Sequence, residues 1–113
     1  NVVYDQIGSP TYAKDLAIAI YRILRSQQWI EGIFNYTNFG VTSWYDFTKS
    51  IHRIAGINQC DVRPIPTEDY PTAASRPFYS VLDTKKIRDA YNVEIPYWED
   101  SLRDCINRIN NEI

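Results

Sequence analysis

The chain has 113 residues, 44% hydrophobic and 23% charged, and 12 basic against 14 acidic side chains leave a net charge of −2. That is enough for one small domain around a single core, and the absence of a basic tract argues against nucleic-acid binding as the main task. The longest apolar run, Leu16 to Tyr21, is far too short to span a bilayer, and 4 Gly with 6 Pro exclude a collagen-like or low-complexity chain. The opening NVVYDQIGSP has neither a charged n-region nor an apolar h-region, and Cys60 and Cys105 are the only cysteines. Both features lead us to expect a cytoplasmic, reducing setting. There is no Met, and the chain opens on the apolar Val2-Val3-Tyr4. We therefore expect a piece of a longer polypeptide.

Val2 to Tyr4 reads as a short strand, closed by the turn-prone Gly8-Ser9-Pro10. From Thr11, a plausible N-cap, apolar residues recur at helical spacing: Ala13, Leu16, Ala17, Ile20, Ile23 and Leu24. After Gly32, the aromatic and β-branched run Ile33 to Thr37 predicts a strand, and Asn38 and Gly40 turn the chain. Ser43 and Asp46 resemble a capping box at the head of a second helix, whose stripe Trp44, Phe47, Ile51, Ile54 stops at Gly56. Val62 to Ile65 can form an edge strand, since Pro64 lacks a donor. Pro66 to Pro77 reads as loop and Ser80 to Leu82 as extended chain. Asp83 should cap a short helix through Tyr91. A last amphipathic helix runs from Trp98 through Leu102, Cys105, Ile106 and Ile109. Alternating short strands and helices make a mixed α/β domain. The strands are too few for an independent doubly wound sheet, and a lobe that docks on a larger neighbour is expected. Tyr4, Ile7, Tyr12, Phe34 and Tyr36 are the candidate apolar docking face.

The chemistry is sparse. Four scattered glycines contain neither phosphate-binding glycine pattern, so no nucleotide cofactor site is expected. The lone His52 and two distant cysteines give no metal site, and no serine sits on a nucleophile elbow. Two segments stand out. Asp5 to Thr11 places a carboxylate, an amide and hydroxyls between a strand and a helix start, either to present donors to a ligand or as an ordinary capped turn. In Ala74 to Ser80, Arg76 is the only charged residue between Asp69 and Asp83. Its planar fork suits phosphate oxygens, and the alternatives are stacking on Phe78 or pairing with Glu68 or Asp69.

These segments also carry a resemblance. DQIGSPTYAKDLA at 5–17, GVTSWYDF at 40–47 and RPFYSVLDTKKI at 76–87, with YPTAASRP at 70–77 and EIPYWEDSLRDC at 94–105, resemble the C-terminal part of the dTDP-4-dehydrorhamnose reductases. The resemblance covers essentially all of 1–113. It implies the small mixed α/β substrate-binding lobe of an extended short-chain dehydrogenase/reductase, without its N-terminal Rossmann domain. That absent domain would hold NADPH and the catalytic Ser/Thr, Tyr and Lys. The reaction implied is reduction of dTDP-4-dehydro-L-rhamnose to dTDP-L-rhamnose, and the lobe alone would be inert. By the same analogy Arg76 faces the diphosphate, while Gln6, Gly8, Ser9 and Thr11 form the loop near the dTDP-sugar and the domain junction. Tyr79 stands where many relatives carry Asn. The resemblance also leaves room for Mg2+ and a homodimer in the full-length enzyme. Two alternatives remain: another nucleotide-sugar epimerase or dehydratase of the superfamily, or a non-catalytic subunit resembling the methionine adenosyltransferase β subunit.

Overall fold

A computed structural model of the chain describes residues 1–112. Two small sheets and four helices follow one another as β1 (Val2–Val3), β2 (Ile7–Gly8), α1 (Ala13–Arg25), β3 (Thr42–Ser43), α2 (Trp44–Ala55), β4 (Pro64–Ile65), a 3-10 turn (Thr67–Asp69), β5 (Tyr79–Ser80), α3 (Lys85–Tyr91) and α4 (Trp98–Glu112). β1 pairs in parallel with β4, Val2 opposite Pro64. Pro64 cannot donate, so the pairing runs through flanking groups: Val2 N–H donates to the Arg63 carbonyl at 2.8 Å and Tyr4 N–H to that of Ile65 at 3.1 Å. The second sheet has β2 at its centre, antiparallel to β3 and parallel to β5. Among the described residues no helix is long and apolar enough to cross a membrane.

Helix ends follow local chemistry. Ser43 Oγ accepts the Asp46 N–H at 3.0 Å and so caps α2, while its hydroxyl donates to the Asp46 carboxylate at 2.9 Å and is held in place by it. Gly56 ends that helix at φ 68°, a left-handed conformation that glycine adopts without steric cost. The Asp83 carboxylate takes the Lys85 N–H at 2.8 Å, although the residue at the α3 cap position is Thr84.

The structure corrects several expectations. Thr11 does not cap α1. Tyr12 occupies that position without a side-chain cap, and its own N–H donates to Asn38 Oδ1 at 2.7 Å. Ile33 to Thr37 is not a strand, because no neighbouring strand offers it a ladder. Phe34 and Tyr36 pack against the core instead, Lys86 Nζ donates to the Ile33 carbonyl at 2.9 Å, and just beyond the segment Phe39 forms a bridge with Tyr97. The apolar residues of α1 do not form one inward stripe either. Leu16, Ala19 and Ile23 turn inward, while Ala13, Ala17, Ile20 and Leu24 lie on the exposed side.

One part of the core gathers Ala19, Ile87 and Val93, with Ile23, Phe34, Tyr36, Tyr91 and Ile95 packed around them. Phe34 meets Tyr91 edge-on at 5.6 Å. Phe34 and Tyr36 therefore belong to the core margin and not to an exposed docking face; among the described residues the most exposed large apolar side chains are Ile33 (85%) and Trp29 (79%). Elsewhere Trp98 packs edge-on to Phe47, joining α2 to α4.

Asn38 ties these parts together. It is 2% exposed, and the two hydrogens of its Nδ2 are shared among the Asp15 carboxylate (2.7 Å), Ser101 Oγ (2.9 Å) and the Pro96 carbonyl (3.2 Å). Its Oδ1 holds the Tyr12 N–H, so one buried amide fixes the start of α1 against the start of α4. Tyr36 lies beside this cluster, and burial, with the nearby Asp15 charge, pushes its hydroxyl pKa up to about 12.

Candidate functional site

A cleft of about 960 Å³ opens between the two sheets and the start of α2. Gln6, Gly8 and Ser9 line one side, Trp44 and Phe47 stand on α2, and Tyr70 and Arg76 come from the loop between β4 and β5. The structure thus brings together Arg76, Gln6, Gly8 and Ser9. Thr11 is exposed and lies outside the cleft lining.

The local fold explains the placement. Ile7 and Gly8 are the central strand of the three-stranded sheet, so their neighbours Gln6 and Ser9 are carried on its two ends. Ser9 Oγ donates to the Gly40 carbonyl at 2.7 Å, which fixes the turn before α1 against the turn before β3. A Cβ at Gly8 would meet the Ser80 carbonyl oxygen of β5 at 3.6 Å, an ordinary van der Waals contact. Asp5 lies just outside the cleft and is engaged by Thr67. Its Oδ1 accepts the Thr67 hydroxyl at 2.6 Å and the Thr67 N–H at 2.9 Å. The Thr67 hydroxyl, followed by the Thr67 N–H, holds the Asp5 carboxyl below its ordinary pKa despite opposing desolvation.

Arg76 is exposed and makes no ion pair or side-chain hydrogen bond among the described residues. Among the described residues neither Glu68 nor Asp69 pairs with it, and the cation–π contacts there involve Arg25, Lys86 and Arg88. A guanidinium without an internal partner on a concave wall is available to a carboxylate or phosphate, to two oxygens of which it can offer parallel N–H donors. Trp44 and Tyr70, each more than half exposed in the same concavity, offer aromatic faces beside it. These aromatics were not singled out from the sequence, where Trp44 reads as part of an amphipathic stripe and Tyr70 as a loop residue.

Other chemistry is thin. No group of three or more His, Cys, Asp or Glu side chains gathers in the described residues to hold a metal ion. Cys60 and Cys105 are free thiols. Tyr45 and Lys49 have the Tyr-x-x-x-Lys spacing, but they stand on α2 and neither lines the cleft.

Comparison with known proteins places this geometry. Residues 1–111 match the RmlD substrate binding domain. The spore coat polysaccharide biosynthesis protein SpsK of Bacillus subtilis is 38% identical over 94% of this chain and 36% of its own. A dTDP-4-dehydrorhamnose reductase of Sinorhizobium fredii is 37% identical over 94% of this chain and 38% of its own. Among solved structures, the Clostridium acetobutylicum dTDP-4-dehydrorhamnose reductase superposes with a TM-score of 0.84 at 35% identity, covering 96% of this chain and 38% of that one. The Bacillus anthracis enzyme, solved in complex with NADP, gives a TM-score of 0.83 at 34% identity, covering 95% and 36%. The chain therefore spans well under half the length of these relatives. Matched in sequence over almost its full length and in fold to two reductase structures, the chain belongs to the RmlD substrate-binding domain family.

Proposed function

We propose that this chain is the substrate-binding lobe of an NADPH-dependent reductase that converts dTDP-4-dehydro-L-rhamnose to dTDP-L-rhamnose, and that the lobe alone is inert. The observation that carries the reading is Arg76, unpaired on the wall of the cleft that Gln6, Gly8 and Ser9 also line. In this role Arg76 grips the diphosphate, and the loop before α1 closes the wall against which the sugar nucleotide lies. NADPH, when bound, supplies the hydride for the C4 carbonyl carbon. The lobe has no glycine-rich loop to hold it, so cofactor and proton donor are assigned to a preceding Rossmann domain. The lobe's share of the catalysis is to keep the ketone within reach of them. Support comes from the reductase relatives and from the NADP complex of one of them.

A second substrate has a specific observation behind it. A relative from Streptomyces niveus, 33% identical over 97% of this chain, is a dTDP-4-keto-6-deoxy-D-glucose reductase. Both readings share the dTDP group and therefore the role of Arg76; turnover of the two purified ketosugars separates them.

Arg76→Ala in the full-length protein tests the shared part. A charge-assisted contact to a diphosphate is worth about 1.5–3 kcal/mol, so KM should rise roughly ten- to a hundredfold. The diphosphate is remote from the reacting carbon, so kcat should change little, and Arg76→Lys should recover only part of the loss. The unfolding midpoint should stay put, because Arg76 has no internal partner to lose. A lowered midpoint with an unaltered KM refutes the assignment.

A further inference from the structure

The loop that brings Arg76 into the cleft is held almost entirely from one short segment. Its near end is fastened at Thr67, whose hydroxyl donates to Asp5 Oδ1 at 2.6 Å and whose N–H is shared between Asp5 Oδ1 (2.9 Å) and Oδ2 (3.1 Å). Gln6 Nε2 reaches the same Thr67 hydroxyl at 3.4 Å. Its far end is fastened where Ile7 N–H donates to the Phe78 carbonyl at 2.8 Å, at the start of the β2–β5 pairing. Between these anchors the hydrogen bonds stay within the loop: Asp69 and Tyr70 N–H groups return to Pro66 and Thr67, and the Thr72 hydroxyl donates to the Ala74 carbonyl. Residues 68–77 are exposed throughout. Without its anchors such a loop has many conformations to lose on binding a ligand, and every one lost weakens the binding.

We propose that Asp5 is a positioning residue for Arg76: through Thr67 its carboxylate sets where the loop leaves the sheet, and so where the guanidinium stands before an anion arrives. Asp5 does not line the cleft, so it acts through the loop and not on the ligand. Three features suit it to this work. It receives two donors from one residue, which fixes direction as well as distance. Its bonds are charge-assisted, hence stronger than those of a neutral acceptor. It is also joined through Gln6 to Ile7, so both ends of the loop are referred to the same backbone. The proposal rests on the reading of Arg76 as the diphosphate contact.

The test is a double-mutant cycle in the full-length protein, with thymidine diphosphate as the probe and calorimetric affinity as the readout. Asp5→Asn puts an NH2 group where a second acceptor stood, and should weaken thymidine diphosphate on the order of tenfold. Thr67→Val keeps the shape and the backbone N–H while deleting the hydroxyl, and should act in the same direction if Asp5→Asn folds poorly. Thr67→Ser restores the hydroxyl and should recover the affinity. In an Arg76→Ala background neither Asp5→Asn nor Thr67→Val should weaken binding further, because the residue they position is gone. Additive losses in that background would overturn the proposal, and so would unaltered affinity in Asp5→Asn and Thr67→Val while Arg76→Ala alone loses binding. If Arg76→Ala itself has no effect, the diphosphate reading falls and the positioning role falls with it.

Discussion

Gly40 is the position where one added methyl group should do the most damage. Its φ is +88°, and a Cβ built there would stand 2.9 Å from Cδ1 of Trp98 and from Cδ2 of Tyr97, closer still to Tyr97 Cε2. Tyr97 is nearly half exposed and its ring can swing away, but Trp98 is 7% exposed and packed on Phe47, so the strain falls on the joint between α2 and α4. The same stretch carries the Phe39 bridge, with Phe39 N–H on the Pro96 carbonyl and Trp98 N–H on the Phe39 carbonyl, both at 2.9 Å. Forcing a left-handed backbone on alanine costs about 1–2 kcal/mol, and overpacking a closed site about 1–3 kcal/mol more. For a domain of this size that is a fall in Tm of roughly 8–20 °C. Gly56→Ala is the control: φ is +68°, yet nothing lies within 4 Å of its added Cβ, so only the backbone cost applies, roughly 4–8 °C. Thermal unfolding followed by circular dichroism measures both. Equal losses in the two variants would refute the steric reasoning, since they differ in what the methyl group meets.

Asn38→Asp should be among the most damaging polar substitutions. It replaces a donor group with a second carboxylate facing Asp15, beside the Pro96 carbonyl, and urea unfolding should register a loss of about 3–5 kcal/mol. The acid limb of stability should trace to carboxylates whose pKa falls on folding, among them Asp104, lowered chiefly by its 2.9 Å bond to Lys14, and Asp5, lowered chiefly by Thr67. Such a group contributes stability above its unfolded value, near 3.8 for Asp104, and loses it as the pH drops through the folded value. Asp104→Asn should therefore be less stable than the parent at pH 7, and the two should converge as the medium is acidified below pH 3.8. Unfolding midpoints measured across that range check it, and a gap that persists or widens at low pH contradicts it.

Much of the secondary structure could be read from local pattern, because local chemistry decides it. The Ser43 and Asp46 cap, the Gly56 stop, the edge character that Pro64 imposes on β4 and the long final helix each depend on a residue's own backbone preference or on a neighbour three or four positions away. The segment carrying Arg76 was legible too, as the only charge between Asp69 and Asp83. Tertiary structure decided what depends on a partner far along the chain. Ile33 to Thr37 has every residue a strand prefers, but a strand exists only where another lies beside it, and here α1 and α3 occupy the space. Asn38 reads as a turn residue, and only the arrival of Asp15, Pro96 and Ser101 makes it a buried hub. α1 is apolar around more of its circumference than one core can cover, so periodicity could not say which stripe turns inward. Whether Arg76 was paired or free was likewise closed to the sequence, which holds Glu68 and Asp69 within easy reach. Only the folded path of the loop, tied at Thr67 to an Asp5 that lies 62 positions away along the chain, leaves it without an ion pair among the described residues.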